Sequence, residues 1–475
     1  MRGLNFDRKM VVKIAILMVI SAVVTAFNFR TLGYKDSAML FLATMALISA
    51  IYLIFNDTEK SILIFIASFP VLVTARKAFN IDFLFLKITY ESIYITILFI
   101  ASFKKIIKLI KDSYRDGKTF DFSFLIFMGI FAIFALNSVL FSKNTFGALS
   151  HTFISVLIPM MFALSLASNF KGKDIKGIYY ALILMCDFSC FYGFFQMVTN
   201  RLSISGAGAK RGLITFGYHN VNVFAGIAIL VFPLILDMFL YGKKKGKEGI
   251  FIILSLAINA LGLFVSYTRG AWIALLVSVF VVLISRRYRY FIYGLGGLML
   301  VGIRPIARYI LRRGTSTTLL TNESTIARIQ SMFASFIIIF KYPFGAGSGS
   351  YPEMYKSHVT EGYLMIPEWF RMKIKVATYN MEAAHNLWLQ IGSELGIVSM
   401  FSFLGIVLNR FVTAIKNFKI CRGETAAIVA FTIYSLLTGI EFEHKGIITG
   451  TLVIWIIFML IELKTKGCSS NEGIS

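Results

Sequence analysis

Three short polar clusters interrupt an otherwise apolar chain, and their residue types suit anion binding and proton transfer. The first runs Lys210-Arg211-Gly212-Leu213-Ile214-Thr215-Phe216-Gly217 and on through Asn220 and Asn222 to Ala225. The second is Ser266-Tyr267-Thr268-Arg269-Gly270-Ala271-Trp272. The third is Ala384-His385-Asn386-Leu387-Trp388-Leu389-Gln390, followed by Glu394 and Gly396. A guanidinium is planar, always charged and able to grip two phosphate oxygens at once, so Arg211 and Arg269 are candidates for holding a diphosphate. A phosphate leaving group needs such cations where its charge develops. An imidazole titrates near working pH, which makes His385 a candidate general base toward a hydroxyl. Each residue taken singly has a plainer reading. An arginine at a membrane boundary can snorkel to headgroups, and a histidine that opens a helix can cap it or pack.

The elements that must position these clusters are membrane-spanning helices. Of the 475 residues, 57% are hydrophobic and only 15% charged, where a soluble domain carries about a quarter charged. A bilayer core needs roughly 20 apolar residues in helical form. Such segments run Val11–Phe27, Ser37–Phe55, Ile62–Ala75, Ile88–Phe103, Phe120–Phe141, His151–Ser168 and Ile175–Thr199. They continue Val221–Tyr241, Gly249–Thr268, Gly270–Ser285, Tyr288–Ile303, Asn386–Leu408, Ala426–Ile440 and Ile447–Leu463. The expected fold is therefore all-α, a polytopic bundle of about fourteen spans. Arg8-Lys9 followed by Val11–Phe27 reads as the first span, since no convincing cleavage site follows it.

Loop charge orients the bundle. The net charge of +24 would suggest nucleic acid in a soluble protein, but lysine and arginine gather in the cytoplasmic loops of membrane proteins. With the N-terminus inside, the basic stretches Lys104 to Lys118, Lys243-Lys244-Lys245, Arg286-Arg287 and Arg410 to Arg422 all fall on one side. Both termini are then cytoplasmic. All three polar clusters lie at the outer face, as does the long segment 304–384, which separates the first eleven spans (1–303) from the last three (385–475). That segment carries ten Lys/Arg against five Glu. Within it Ile326, Ile329, Phe333, Phe336, Ile337 and Phe340 recur at helical spacing, with Arg328, Ser331 and Ser335 between them. This predicts an amphipathic helix lying on the membrane or on the bundle. Pro343-Phe344-Gly345-Ala346-Gly347-Ser348-Gly349 ends it, either as a tight turn or as a backbone cradle in which Gly345 and Gly347 support an anion.

Other polar residues are open to two readings. Asp187 and Glu394 fall inside apolar segments, where ionisable groups are costly; Glu394 can orient a site, and Asp187 can equally be a buried structural acid. Glu441-Phe442-Glu443-His444 reads as a solvated loop or a cation site. There is no Asp-x-Asp pair on the outer side, which disfavours a metal-dependent sugar transferase. No cofactor is implied. The four cysteines have no zinc-like spacing and read as packing residues or free thiols.

The Thr-Arg-Gly-Ala-Trp-Ile-Ala stretch, the Pro-Phe-Gly-Ala-Gly turn and the His-Asn-Leu-Trp-Leu-Gln helix start, in that order, resemble the O-antigen ligase and polymerase superfamily. The resemblance is best from about Arg211 to Gly405. It implies a membrane glycosyltransferase of the bacterial cytoplasmic membrane, working in cell-surface polysaccharide biosynthesis. Such an enzyme moves saccharide from a polyprenyl-diphosphate carrier to a hydroxyl of a glycan, lipid or protein acceptor at the outer surface, without a metal and with inversion. By motif, the diphosphate-binding arginines fall on Arg211 and Arg269 and the base on His385, with Asn386 and Glu394 in support. Val221 stands before Asn222 where the family often has proline, so the Arg211 match is the weaker. A lipid-linked saccharide transporter is the competing class. It calls for paired broken helices and midplane contacts, whereas the unusual polar groups here gather at one face.

Overall fold

The computed structural model describes residues 18–19, 21–23, 34–75, 81–83, 86–116, 120–170, 175–203, 210–218, 220–242, 246–284, 288, 290, 294, 323–374, 380–438 and 449–469. The helices described are α1 (Tyr34–Asn56), α2 (Thr58–Ala75), α3 (Tyr90–Asp116), α4 (Phe122–Ser138), α5 (Thr145–Thr152), α6 (Ile158–Asn169), α7 (Lys176–Thr199), α8 (Val221–Tyr241) and α9 (Lys247–Val265). They continue with α10 (Arg269–Leu283), α11 (Glu323–Lys341), α12 (Tyr351–Met365), α13 (Glu368–Arg371), α14 (Leu387–Leu395), α15 (Ile397–Lys416), α16 (Arg422–Ser435) and α17 (Thr449–Ser469). Among the described residues, six segments are long and apolar enough to cross a membrane: Phe122–Phe141, Thr145–Asn169, Lys176–Thr199, Val221–Tyr241, Lys247–Val265 and Ile397–Lys416. Leu40–Asn56 and Arg269–Leu283 are shorter apolar helices. The expected spans Val11–Phe27 and Tyr288–Ile303 lie almost wholly outside the described residues, as do Glu441, Glu443 and His444.

Three elements differ from the sequence reading. A small antiparallel hairpin, β1 (Ile81–Phe83) with β2 (Leu86–Ile88), precedes α3 and pairs Asp82 with Lys87. The expected span Ile88–Phe103 begins at Tyr90 and continues as helix to Asp116, so most of the basic stretch after Phe103 is helical rather than loop. The third difference bears directly on function. The expected span Asn386–Leu408 is broken at Gly396, whose φ is +92°, and the two halves fold back on each other. The ring of Trp388 lies 5.8 Å from that of Phe403; residues so far apart in one straight helix would stand about 22 Å from each other. The span itself is α15, and α14 is a short re-entrant helix packed beside it.

A backbone clasp holds this elbow. The N–H groups of Ala346 and Gly347 donate to the carbonyls of Ser393 (3.0 Å) and Glu394 (2.9 Å), and the Ile397 N–H donates to the Pro343 carbonyl (2.9 Å). These bonds satisfy the last carbonyls of α14 and the first N–H of α15, which the break would otherwise orphan. Backbones meet so closely that a Cβ at Gly396 would stand 2.8 Å from the Pro343 oxygen, and one at Gly345 2.7 Å from the Leu395 carbonyl carbon. Gly345 and Gly347 also have φ of +89° and +95°, a region that side chains disfavour.

Around the elbow the bundle is pinned by buried polar groups. Helix α4 is capped by Asp121, whose Oδ1 accepts from the Ser123 N–H at 3.0 Å. The other carboxylate oxygen of Asp121 pairs with the fully buried Arg410 of α15 at 2.6 Å, and Arg410 also pairs with Glu462 of α17. The guanidinium stacks 4.3 Å over the Phe124 ring. Three helices are thereby tied at the end of the bundle remote from Gly396. Removing one partner of such a pair would leave an uncompensated buried charge.

Candidate functional site

The last turn of α16 gathers the second and third clusters and the end of the first. Tyr434 Oη donates to the Asn222 carbonyl at 3.0 Å, and Thr268 Oγ1 donates to Asn222 Oδ1 at 3.3 Å. Asn386 Nδ2 donates to the Leu436 carbonyl at 3.2 Å, and Trp388 Nε1 donates to Ser435 Oγ at 3.1 Å. Gly270 packs against Leu437 and Tyr434. The N-termini of α8, α10 and α14 therefore ring one helix end. Asn220 caps α8 and Asn386 caps α14 through their side-chain oxygens, the role short amides fill best. A helix N-terminus carries partial positive charge even where a side chain caps its N–H groups, so three of them together favour an anion. Arg269 is the first residue of α10 and is half-buried; His385 immediately precedes the Asn386 cap and is also half-buried.

Each cluster holds one side-chain-bearing residue in the left-handed region: Phe216 (φ +54°), Tyr267 (φ +49°) and His385 (φ +51°). Such conformations persist only where surroundings over-determine them, and they concentrate at functional sites. The supports are visible. The Phe216 N–H donates to Gln196 Oε1 at 3.1 Å, and its ring stacks 4.0 Å from Phe224. Ahead of His385, the Ala384 N–H donates to Gln390 Oε1 at 2.6 Å.

A further cation joins these groups: Arg328, in the sequence only a polar position of the amphipathic helix, which is α11 in the structure. The buried side of α11, including Ile326, Ala327, Ala334 and Ile338, packs with Ala384 and Leu389 in one apolar cluster. This leaves Arg328 exposed and close enough to act on both His385 and Tyr434. Burial, and then the Arg328 charge, hold His385 down to about 4, against an ordinary 6.5. The imidazole is therefore neutral at neutral pH and able to accept a proton. No local sequence pattern marks Arg328; only the packing of α11 against the α14 start brings it there.

The remaining candidates lie elsewhere. Arg211 opens a 3-10 turn, Arg211–Leu213, which is followed by the Gln196-held stretch Thr215–Phe216; its side chain lies outside what the structure describes. Gly345 and Gly347 belong to the elbow clasp, at the far end of α14 from His385. The Gly345, Ala346 and Gly347 N–H groups are all donated to carbonyls, so of the two readings of this turn the anion cradle is not the one built. Glu394 is buried at the same end, accepting from the Tyr351 N–H at 3.1 Å, and braces the start of α12 rather than meeting His385. Asp187 accepts from Ser255 Oγ (2.6 Å) and Asn259 Nδ2 (2.7 Å), which joins α7 to α9 as a structural acid would.

Apolar helices long enough to span, with one polar site collected at helix ends, define a multi-pass membrane protein. Residues 251–404 match the family model described as O-antigen ligase. That stretch runs from α9 into α15 and contains Arg269, Arg328 and His385. The match supports the O-antigen ligase and polymerase superfamily as the family of this chain, with a membrane role in polysaccharide biosynthesis. No curated protein matches the chain.

Proposed function

We propose that this chain is a glycosyltransferase that moves a saccharide from a polyprenyl-diphosphate carrier to an acceptor hydroxyl at the outer face of the bacterial cytoplasmic membrane. The observation that carries the reading is the convergence on the α16 end. There Arg269, three helix N-termini and a neutral, half-buried His385 share one place, with Arg328 close enough to act on the histidine. The acceptor oxygen attacks the anomeric carbon, the bond from that carbon to the diphosphate oxygen breaks, and the configuration inverts. Arg269, with Arg211 from the neighbouring segment, receives the charge that develops on the departing diphosphate. His385 takes the acceptor proton. Arginines and helix ends supply the positive charge that a divalent ion would otherwise provide, so the reaction is expected to proceed without a metal.

The test uses full-length protein in proteoliposomes with a polyprenyl-diphosphate-linked oligosaccharide. The expected result is free polyprenyl diphosphate formed in step with glycosidic product, undiminished by excess chelator. Longer lipid-linked chains would identify a polymerase, and transfer onto a separate lipid, glycan or protein a ligase; the two use the same site with different acceptors. The re-entrant α14 is also a device that transporters use. Movement of the intact donor across the bilayer without cleavage would replace this reading with a flippase, and loss of activity in chelator restored by Mg²⁺ or Mn²⁺ would overturn the metal-free mechanism.

A further inference from the structure

Helix α11 has two apolar sides. One is buried against α12 and α14, as described. The other is a stripe at four-residue spacing, Met332, Phe336 and Phe340, with exposures of 37%, 41% and 77%. Water would be a poor neighbour for these rings, and contiguous exposed apolar surface of this kind marks contact with a membrane or another protein.

The stripe is continuous with a surface that faces lipid. The flank of the span Phe122–Phe141 left uncovered by the bundle carries Ile126, Ile133, Leu136, Leu140 and Phe141, all exposed. At its end Phe141 stacks on Phe344, ring centroids 5.6 Å apart and planes within 15°. Phe344 is itself exposed and follows Phe340 by one helical turn's worth of chain. The exposed apolar residues of the spanning helix thus lead through Phe141 and Phe344 to the end of α11, four residues from Phe340. At the end of α11 the Lys341 charge is paired with Glu361 at 2.7 Å, and the exposed Arg328 and Lys143 flank the apolar residues, one turn before Met332 and two residues after Phe141.

We infer that α11 lies in the hydrocarbon edge of the bilayer leaflet on the His385 side, with Met332, Phe336 and Phe340 against lipid acyl chains. The helix that carries Arg328 toward His385 is then held on one flank by the protein and on the other by the membrane. The segment 323–341 would be part of the membrane-embedded body, not an aqueous loop.

The experiment is spin labelling of full-length protein in liposomes of neutral and anionic phospholipid. It uses a Cys468→Ser background, since Cys186, Cys190 and Cys421 are buried. Phe336→Cys and Phe340→Cys report the stripe; Lys356→Cys, exposed on α12, is the aqueous reference. Both stripe labels should be several-fold more accessible to oxygen, and several-fold less accessible to a water-soluble nickel chelate, than the Lys356 label. Equal nickel accessibility at all three positions would place α11 in water and overturn the inference. Spin–spin broadening between labels at 340, lost on dilution with unlabelled protein, would also overturn it, by assigning the stripe to a second copy of the chain.

Discussion

Replacing Arg328 with glutamine should move the acid limit of activity, and the size and direction of that change follow from the surroundings of His385. The histidine is held at about 4 by burial first and by the Arg328 charge second. A base must be unprotonated to act, so kcat/KM of the wild type should hold from neutral pH down to about 4 and fall below it. In Arg328→Gln the charge is gone and the burial stays. The acid limb should therefore rise above 4 yet remain below the ordinary 6.5. Donor binding acts in the same direction, because a diphosphate beside Arg328 offsets its charge; the limb in kcat should sit above the limb in kcat/KM. His385→Ala should lose about 10²–10⁴ in rate and show no such limb. The assay is release of polyprenyl diphosphate in proteoliposomes between pH 3.5 and 8, with tryptophan fluorescence confirming that the fold survives across the range. An acid limb at the same pH in wild type and Arg328→Gln would show that Arg328 does not act on the base. Wild-type turnover in His385→Ala would refute the assignment of the base itself.

Three further outcomes are expected. Arg269→Lys keeps the charge but loses the planar fork, so turnover should fall by about 10²-fold or more at unchanged expression; full activity would show that charge alone suffices. Gly345→Ala places a side chain at φ +89° against the α14–α15 break and should cost about 1–3 kcal/mol, read as a lowered unfolding temperature with reduced turnover from a displaced α14; an unchanged melting temperature would remove the clasp from the account. Ser357→Cys, on the exposed side of α12, should react with an impermeant thiol reagent from outside intact cells, and labelling only after the cytoplasmic face is opened would invert the proposed orientation.

The sequence by itself determined the solvent and marked the candidate residues. Long apolar runs have no alternative to a membrane, because each backbone polar group within it must be paired internally, and a helix pairs them all. The arginine and histidine clusters were visible because they break those runs. What only the tertiary structure decided is where these groups meet. The run Asn386–Leu408 is predominantly apolar, and hydropathy does not record that Gly396 takes φ +92° and reverses the chain, carrying Asn386 and Trp388 back along α15 to Leu436 and Ser435. Nor does it record that the glycine turn at 345–347 donates its N–H groups to that break, because those partners are set by contacts between segments far apart in the chain. Arg328 is illegible in the sequence for the same reason. On its own helix it is one cation among apolar neighbours, and its closeness to His385 exists only once α11 has packed against α14.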